Sequence, residues 1–524
     1  MKARQMWLLI LIISLAGMLR TWRLTGVPAG FHGDELGAGY NAYSLLKAGV
    51  DEYGKAWPIS FRENISPLNF YLMIPFVTVF GPVELAVRLP GVIWGLGIII
   101  VSYFLVKELF PRNKWLAEVT SLLLAVSPWH VQVSRIAHDA GLGLLVQTAA
   151  VWWFLKGLKQ PNWLIASFGL FGLSLYAYHG PKVTTPLLLA ALLLVWRKKV
   201  SWLRVRQGVI LFGIISLPLI VSMLTTPLSD NRLVGVSILV REATLRPALE
   251  QAEGLPAILR LVFYNPIAIY ALAFLRQYFN YLNWDWLWFD NSFTRYFNVT
   301  GVGLMYLVEL PFLLVGIYEL VKSRSREAKL VLLWLAIAPV AGAVTLGEPN
   351  AGRAALMLPM LELITAWGMI TAVKKWSVKP VIIAGLMGLN LIWFGQQYLI
   401  QSPKQFAVQW AYGSKQATML AAKYESQVDR IIFTDRYKQP YIFVLFYAHP
   451  EPEWLQSQTK HRRENLGYDK IGKYEFRQVD WFKDSQMKNS LLLGTAEEIP
   501  ETAEGIVDEI SDPNGQILWR AVRT

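Results

Sequence analysis

No cysteine occurs anywhere in the 524 residues of this chain. Disulfides, thiol catalysis and zinc-thiolate sites are therefore excluded, and any part facing an oxidising compartment must hold together by packing alone. Charge is scarce too: Asp, Glu, Lys and Arg make up 17% of the residues, against 54% hydrophobic and 13% aromatic. There is no internal repeat and no low-complexity tract. Nor does a small-residue cleavage site follow the first apolar run, Met6 to Met18, which comes after Lys2 and Arg4 and meets the polar stretch Arg20 to Arg23. That run reads as an uncleaved first span rather than a secretory signal.

What the chain does have is a succession of apolar stretches, near 6–23, 85–106, 115–128, 140–155, 163–178, 183–196, 208–224, 301–321, 330–346, 354–373 and 380–399. A hydrocarbon core of about 30 Å takes roughly 20 helical residues to cross. These eleven stretches predict an all-α polytopic membrane bundle. A twelfth candidate, Leu68 to Phe80, is thirteen residues long and contains Pro75. It is too short to span as a helix and is expected to lie along the membrane surface.

The formal charge is +13, from 50 Lys and Arg against 37 Asp and Glu, and its distribution orients the bundle. With the N-terminus cytoplasmic and 68–80 kept outside, the cytoplasmic loops hold Lys107, Arg112 and Lys114, then Lys156 and Lys159. They continue with Arg197, Lys198, Lys199, Arg204 and Arg206, then Lys322, Arg324, Arg326 and Lys329, then Lys374, Lys375 and Lys379. Those seventeen cations face only Arg135, Lys182 and Arg353 in the short outer loops, the bias that the positive-inside rule demands. Letting 68–80 cross would invert every later loop.

On this topology residues 24–84, residues 225–300 and everything after Gln401 lie outside a plasma membrane. Residues 1–400 form the transmembrane domain. Residues 401–524 lose the long apolar runs, gain charge and read as a small soluble α/β domain. Within it RIIFTD, YEFRQVDW, SLLLGT and GQILWRAV read as strands and QPYIFVLFYA as a helix.

All the candidate chemistry collects on the outer side. FHGDELGAGY supplies His32, Asp34 and Glu35 just beyond the first span. SRIAHDAG supplies Arg135, His138 and Asp139, YAYHGPK supplies Tyr178, His179 and Lys182, and GEPNAGR supplies Glu348 and Arg353. Asp34, Glu35 and Asp139 have a plainer alternative as helix N-caps, since an apolar helical stripe follows them. The aromatic stretch YFNYLNWDWLWFDNSFTRYF suits headgroup anchoring, with a sugar ring stacked on Trp286 or Trp288 as the sharper reading. Glu118, Glu309 and Glu362 lie in or near apolar spans and are expected to face other helices, protonated or hydrogen bonded.

In order, GDE after span one, a surface SPLNFYL segment, RLPGVIWG, LFPRNK and SPWHVQVSRIAHDAG resemble the polyprenyl-phosphate-sugar glycosyltransferases of family 39, across roughly residues 1–373. That group includes protein O-mannosyltransferases and is similar to aminoarabinose transferases that modify lipid A. The resemblance implies the glycosyltransferase C superfold, with about eleven transmembrane helices, two surface-parallel helices in the first exterior loop and a sugar donor on dolichyl or undecaprenyl phosphate. It also implies that Asp34 is the catalytic carboxylate, with Glu35 beside it and Asp139 at the second acidic position. His32, His138, Tyr178, Trp286 and Trp288 are then the expected substrate contacts. Related aminoarabinose transferases place a Lys before the proline of the surface helix, whereas this chain has Ser66 before Pro67. The donor phosphate therefore falls to other outer cations: Arg88 and Arg353 first, then Arg62, Arg135 and Lys182.

The implied reaction is single-displacement, inverting transfer of a monosaccharide to a hydroxyl of a protein, lipid or cell-envelope glycan. No cofactor is required, and a divalent cation held by carboxylate and imidazole is the alternative. The competing functions are a lipid-linked oligosaccharide ligase or polymerase and, further off, a transporter, which would show repeated halves and mid-membrane polar sites. Nucleic acid is not an expected partner.

Overall fold

The apolar stretches fold as helices, but several are broken. In the computed structural model, residues 3–61, 65–225, 236–292, 296–297, 299–437, 439–458, 462–463 and 467–524 are described. The first ten helices are α1 Ala3–Thr21, α2 Gly33–Ala48, α3 Leu68–Phe80, α4 Glu84–Leu109, α5 Leu116–Val126, α6 Pro128–Arg135, α7 Asp139–Gly157, α8 Asn162–Ser174, α9 His179–Trp196 and α10 Trp202–Thr225. Then follow α11 Ala257–Phe263, α12 Pro266–Asn280, α13 Leu310–Ser323, α14 Arg326–Ile337, α15 Leu358–Lys375, α16 Pro380–Gln396, α17 Ser414–Tyr424 and α18 Pro440–Ala448.

Among the described residues six helices are long and apolar enough to cross a bilayer unaided, or seven if α11 and α12, bent by 48°, count as one. The chain is a multi-pass membrane protein on that count, yet six or seven such helices stand against the eleven spans expected. The difference has local causes. The 115–128 stretch turns at Ser127 and Pro128 from α5 into α6, where proline cannot donate the next helical hydrogen bond. The 163–178 stretch gives only the thirteen residues of α8, which at 1.5 Å rise cover about 20 Å. The 301–321 and 330–346 stretches yield α13 and α14, of 14 and 12 residues.

The chain divides into two units: residues 1–22, 59–67 and 91–394 in one, and residues 23–58, 68–90 and 395–524 in the other. Residues 23–58 and 68–90 thus group with the C-terminal residues.

In the helical unit, α15 is buried along nearly its whole length. A Cβ at Gly368 would come within 1.8 Å of Phe312 O, and one at Gly316 within 2.0 Å of Ile364 O, so these two glycines let α13 and α15 meet backbone to backbone. Glu118 pairs with Lys107 Nζ at 3.1 Å and accepts from Tyr103 Oη at 3.3 Å. Glu309 and Glu362 are fully buried with no hydrogen-bond partner among the described residues.

In the other unit, α3 packs on α2, and α2 packs on α18. A Cβ at Gly39 would meet the Phe446 ring at 2.5 Å, so the small residues of GDELGAG serve close packing. Strands β2 (Arg462–Arg463) and β3 (Gly467–Tyr468) pair by themselves, and the main sheet runs β4 (Lys470–Ile471), β5 (Tyr474–Phe476), β1 (Arg430–Phe433), β6 (Ser490–Thr495), β8 (Ile517–Arg523), β7 (Ile506–Ser511). β1 is parallel to both β5 and β6, and the remaining pairs are antiparallel. β6 is buried at every position, as its unbroken apolar run requires of a central strand. The expected strand YEFRQVDW is shorter than predicted. Only Tyr474–Phe476 is extended, and the chain then turns into a short helix at Trp481–Asp484.

Candidate active site

Two polar clusters carry the predicted residues, one in each unit, and both are built on a histidine at a helix N-cap. At α2, His32 Nδ1 accepts from the Asp34 N–H at 3.1 Å, while Glu35 Oε2 accepts from the His32 N–H at 3.0 Å. This is a capping box with imidazole in place of a hydroxyl. Because Nδ1 is an acceptor, the ring's proton is assigned to Nε2, and the 3.6 Å approach of Asp34 Oδ2 to Nδ1 is not an ion pair. The Asp34 side chain is 41% exposed. Set in the first turn of α2, it lies where the helix dipole favours negative charge.

Glu35 is turned inward. Its carboxylate takes Arg88 Nε at 3.0 Å and Nη2 at 3.2 Å, and Arg88 also donates to the carbonyls of Leu24, Pro28 and Gly30. The guanidinium lies 3.7 Å from the centre of the Phe31 ring. Arg88 is thus fully buried and fully occupied in holding the 24–35 segment. Farther along α2, burial raises the Tyr40 and Tyr43 hydroxyls above the ordinary phenol range, and the Glu451 carboxylate adds to this at both.

The second cluster gathers at the start of α7. His138 Nδ1 accepts from the Ala140 N–H at 3.1 Å, and Asp139 Oδ1 sits 3.2 Å from the same nitrogen, with the Asp139 side chain 16% exposed. The imidazole meets the rings of Tyr178 and Phe297 edge-on, each at 5.6 Å between centroids. Its far edge faces Gly352, where a Cβ would come within 2.9 Å of His138 Cε1. Next in sequence, Arg353 donates through Nη1 to Thr345 Oγ1 at 2.7 Å and through its backbone to Asn350 Oδ1 at 3.1 Å. Arg353, Tyr178, Gly180, Gly352 and Gln147 help line a small recess. Lys182 Nζ lies 3.4 Å from His179 Nδ1.

The 350–353 loop is held in place by aromatics. Trp129 Nε1 donates to Ala351 O at 3.0 Å, and Tyr281 Oη accepts from the Asn350 N–H at 3.3 Å. Trp286 fills the space behind them, with its ring centroid 5.9 Å from Trp129 and 5.8 Å from Tyr281. Trp286 and Trp288 are both buried, so in this structure they are packing residues rather than exposed stacking platforms. Tyr281, Asn350, Gly352, Trp129 and Phe297 were not legible as site residues. Only the Gly and Asn of GEPNAGR hinted at a shaped loop.

Arg135 is also spent on structure. It donates to Leu19 O at 2.8 Å, Arg20 O at 3.0 Å and Trp22 O at 2.8 Å, a cation capping the C-terminal end of α1. Beside it Arg20 Nη2 donates to His130 Nδ1 at 2.9 Å. Burial, with the Arg20 charge adding to it, pushes the His130 pKa down to about 3, which leaves a neutral ring able to accept that bond. Arg62 lies outside the described residues. No group of three or more His, Asp or Glu gathers as metal ligands would among the described residues.

The structure therefore brings His32, Asp34, Glu35 and Arg88 together at α2, and His138, Asp139, Tyr178 and Arg353 together at α7. Comparison with known proteins bears on the fold. A sequence profile for the family described as dolichyl-phosphate-mannose-protein mannosyltransferase matches residues 64–225. A putative mannosyltransferase, YkcB of Bacillus subtilis (strain 168), is 26% identical over 209 residues, 38% of this chain. The match spans only 27% of that relative's length. The crystal structure of ArnT from Cupriavidus metallidurans in the apo state superposes with a TM-score of 0.56 at 13% identity, covering 99% of this chain and 98% of that one. The same protein bound to undecaprenyl phosphate gives 0.55 at 13% identity, covering 98% and 97%. The polytopic helical bundle with a small C-terminal sheet is thus a fold shared with ArnT over essentially the whole chain.

Proposed function

We propose that this protein is an inverting membrane glycosyltransferase of the family 39 type, moving a monosaccharide from a polyprenyl phosphate to a hydroxyl acceptor on the outer face of the plasma membrane. The observation that carries the reading is full-length similarity in fold to ArnT, a protein whose solved structure includes bound undecaprenyl phosphate. The profile match over 64–225 and the mannosyltransferase relative support it from sequence. The N-terminus is assigned to the cytoplasm and the C-terminal domain to the exterior by the charge bias of the loops.

Asp34 is the proposed base: it is partly exposed and poised at a helix N-terminus, whereas Glu35 is committed to Arg88. In the transfer, Asp34 takes the acceptor hydroxyl proton as that oxygen bonds the anomeric carbon. The bond from that carbon to the phosphate oxygen breaks, and the polyprenyl phosphate leaves with the electron pair. Displacement in one step inverts the anomeric centre, by the logic of inverting glycosidases. Arg353 and Lys182 are the proposed cations for the leaving phosphate, since Arg88 and Arg135 are buried and bound to backbone carbonyls. Asp139, His138 and Tyr178 are proposed to act beside Arg353 in the α7 cluster.

The test is an assay of purified protein with a panel of radiolabelled polyprenyl-phosphate sugars, comparing wild type with Asp34→Ala. Loss of label from the lipid in wild type alone supports the reading. Turnover with no monophosphate donor moves the function to a lipid-linked oligosaccharide ligase.

A further inference from the structure

Helices α11 and α12 form an apolar pair in the stretch between α10 and α13, and by composition they could be one broken span or a re-entrant loop. We infer that they do not cross: they dip into the outer leaflet and return, with membrane lipid as the occupant of their bare faces.

Exposure comes first. Every residue of α11, the sequence AILRLVF, is exposed, with Leu261 at 70%. On α12 the outward side is equally apolar, with Ile267 at 83% and Leu272 at 68%. A seven-residue helix bare on all sides, and apolar at every position but Arg260, exposes a surface that would cost about 25 cal/mol per Å² in water.

The break between the two helices is also built for hydrocarbon. Asn265 Nδ2 donates to Leu261 O at 2.8 Å and Val262 O at 3.1 Å, while its Oδ1 accepts from the Ala268 N–H at 2.9 Å. One side chain thus satisfies the trailing carbonyls of α11 and a leading amide of α12, the groups that lipid would otherwise strand.

The loop charges, with parity on the eleven-span reading of the sequence, then separate crossing from returning. The Tyr40 hydroxyl of α2 donates to Pro450 O just beyond α18, at 3.1 Å, so the segments before α4 and after α16 lie on one side of the membrane. On that reading ten apolar stretches cross between those segments besides the pair, and an even number of crossings brings the chain back to the side it left. An eleventh crossing through α11 and α12 would part the two ends of that hydrogen bond. It would also move the cationic loops at 322–329 and 374–379 to the outer face, against the positive-inside bias.

The chain's lack of cysteine makes the test clean. Single-cysteine variants Glu253→Cys and Asn283→Cys flank the pair, Lys483→Cys marks the C-terminal domain, and Ile267→Cys marks the bare face. With a membrane-impermeant maleimide on intact spheroplasts, Glu253→Cys, Asn283→Cys and Lys483→Cys should all label from outside. Ile267→Cys should react about tenfold more slowly or less, as hydrocarbon excludes the reagent's polar body. A fluorophore attached there should be quenched by lipids carrying a doxyl group on the acyl chain. Labelling of Glu253→Cys and Asn283→Cys from opposite faces would overturn the inference in favour of a broken span. Rapid labelling at Ile267→Cys, or its cross-linking between two copies of the chain without lipid quenching, would overturn the lipid assignment.

Discussion

Arg88 Nε lies 3.0 Å from Glu35 Oε1, and neither side chain has appreciable contact with water. Two adjacent acids in the sequence thus have opposite fates. Asp34 keeps a solvent-facing carboxylate, while Glu35 anchors the loop that presents it.

The first prediction separates them. Glu35→Gln leaves a buried guanidinium without its counter-charge and should destabilise the protein by roughly 3–5 kcal/mol. The double variant Glu35→Gln with Arg88→Met should recover part of that loss. Asp34→Asn should leave thermal unfolding in detergent nearly unchanged while turnover falls by about 10²–10⁴, the usual worth of a general base. Equal loss of stability in both single variants would contradict the division of labour.

Arg353 and Lys182 should behave as ligands of a phosphate. Removing one charge-assisted hydrogen bond is worth about 1.5–3 kcal/mol. Arg353→Ala should then lower kcat/KM for the lipid donor by about 10- to 100-fold. Arg353→Lys should restore only part, since a point charge does not reproduce the planar fork. Unchanged kinetics in both Arg353→Ala and Lys182→Ala would remove this pair from the donor site.

Trp286 distinguishes packing from sugar stacking. As a buried support for the 350–353 loop it should cost about 3–5 kcal/mol on truncation to alanine. Trp286→Phe should keep most of that stability and most of the activity. A raised acceptor KM with undiminished stability in Trp286→Ala would instead indicate a stacking platform.

Acid sensitivity follows from His130. Its pKa lies near 3 in the folded protein against an ordinary value of 6.5, so in the interval between them the unfolded chain holds a proton that the folded one does not. Stability is therefore fully present above about pH 6.5 and is lost as the pH falls toward 3, by an amount on the order of a few kcal/mol. Thermal melts from pH 7 to pH 4 should show this decline. His130→Gln, which cannot take up a proton, should flatten it.

Much of the fold could be read from the sequence because hydrocarbon imposes a length that apolar runs either meet or miss. The thirteen-residue α3 fell where expected, with the bounds Leu68–Phe80. Breaks were harder to see: Ser127–Pro128 was visible as a dipeptide, but the run on either side of it stayed apolar, so hydropathy alone joined α5 to α6. The candidate clusters were legible as acids and cations near helix starts, and Asp34 and Asp139 do sit in first turns. Which cations were already engaged was not legible. Arg88 and Arg135 find their carbonyl partners at separations of 58 to 64 and 113 to 116 residues in sequence, and no local pattern encodes such pairings.

The hold of Arg135 on the end of α1 also bears on biogenesis. The first helix enters the membrane with its terminal carbonyls unclaimed, and its clasp arrives more than a hundred residues later in synthesis. Until then the nascent N-terminal helix must rely on water and headgroups at that end, free to tilt or shift until α6 emerges to lock it.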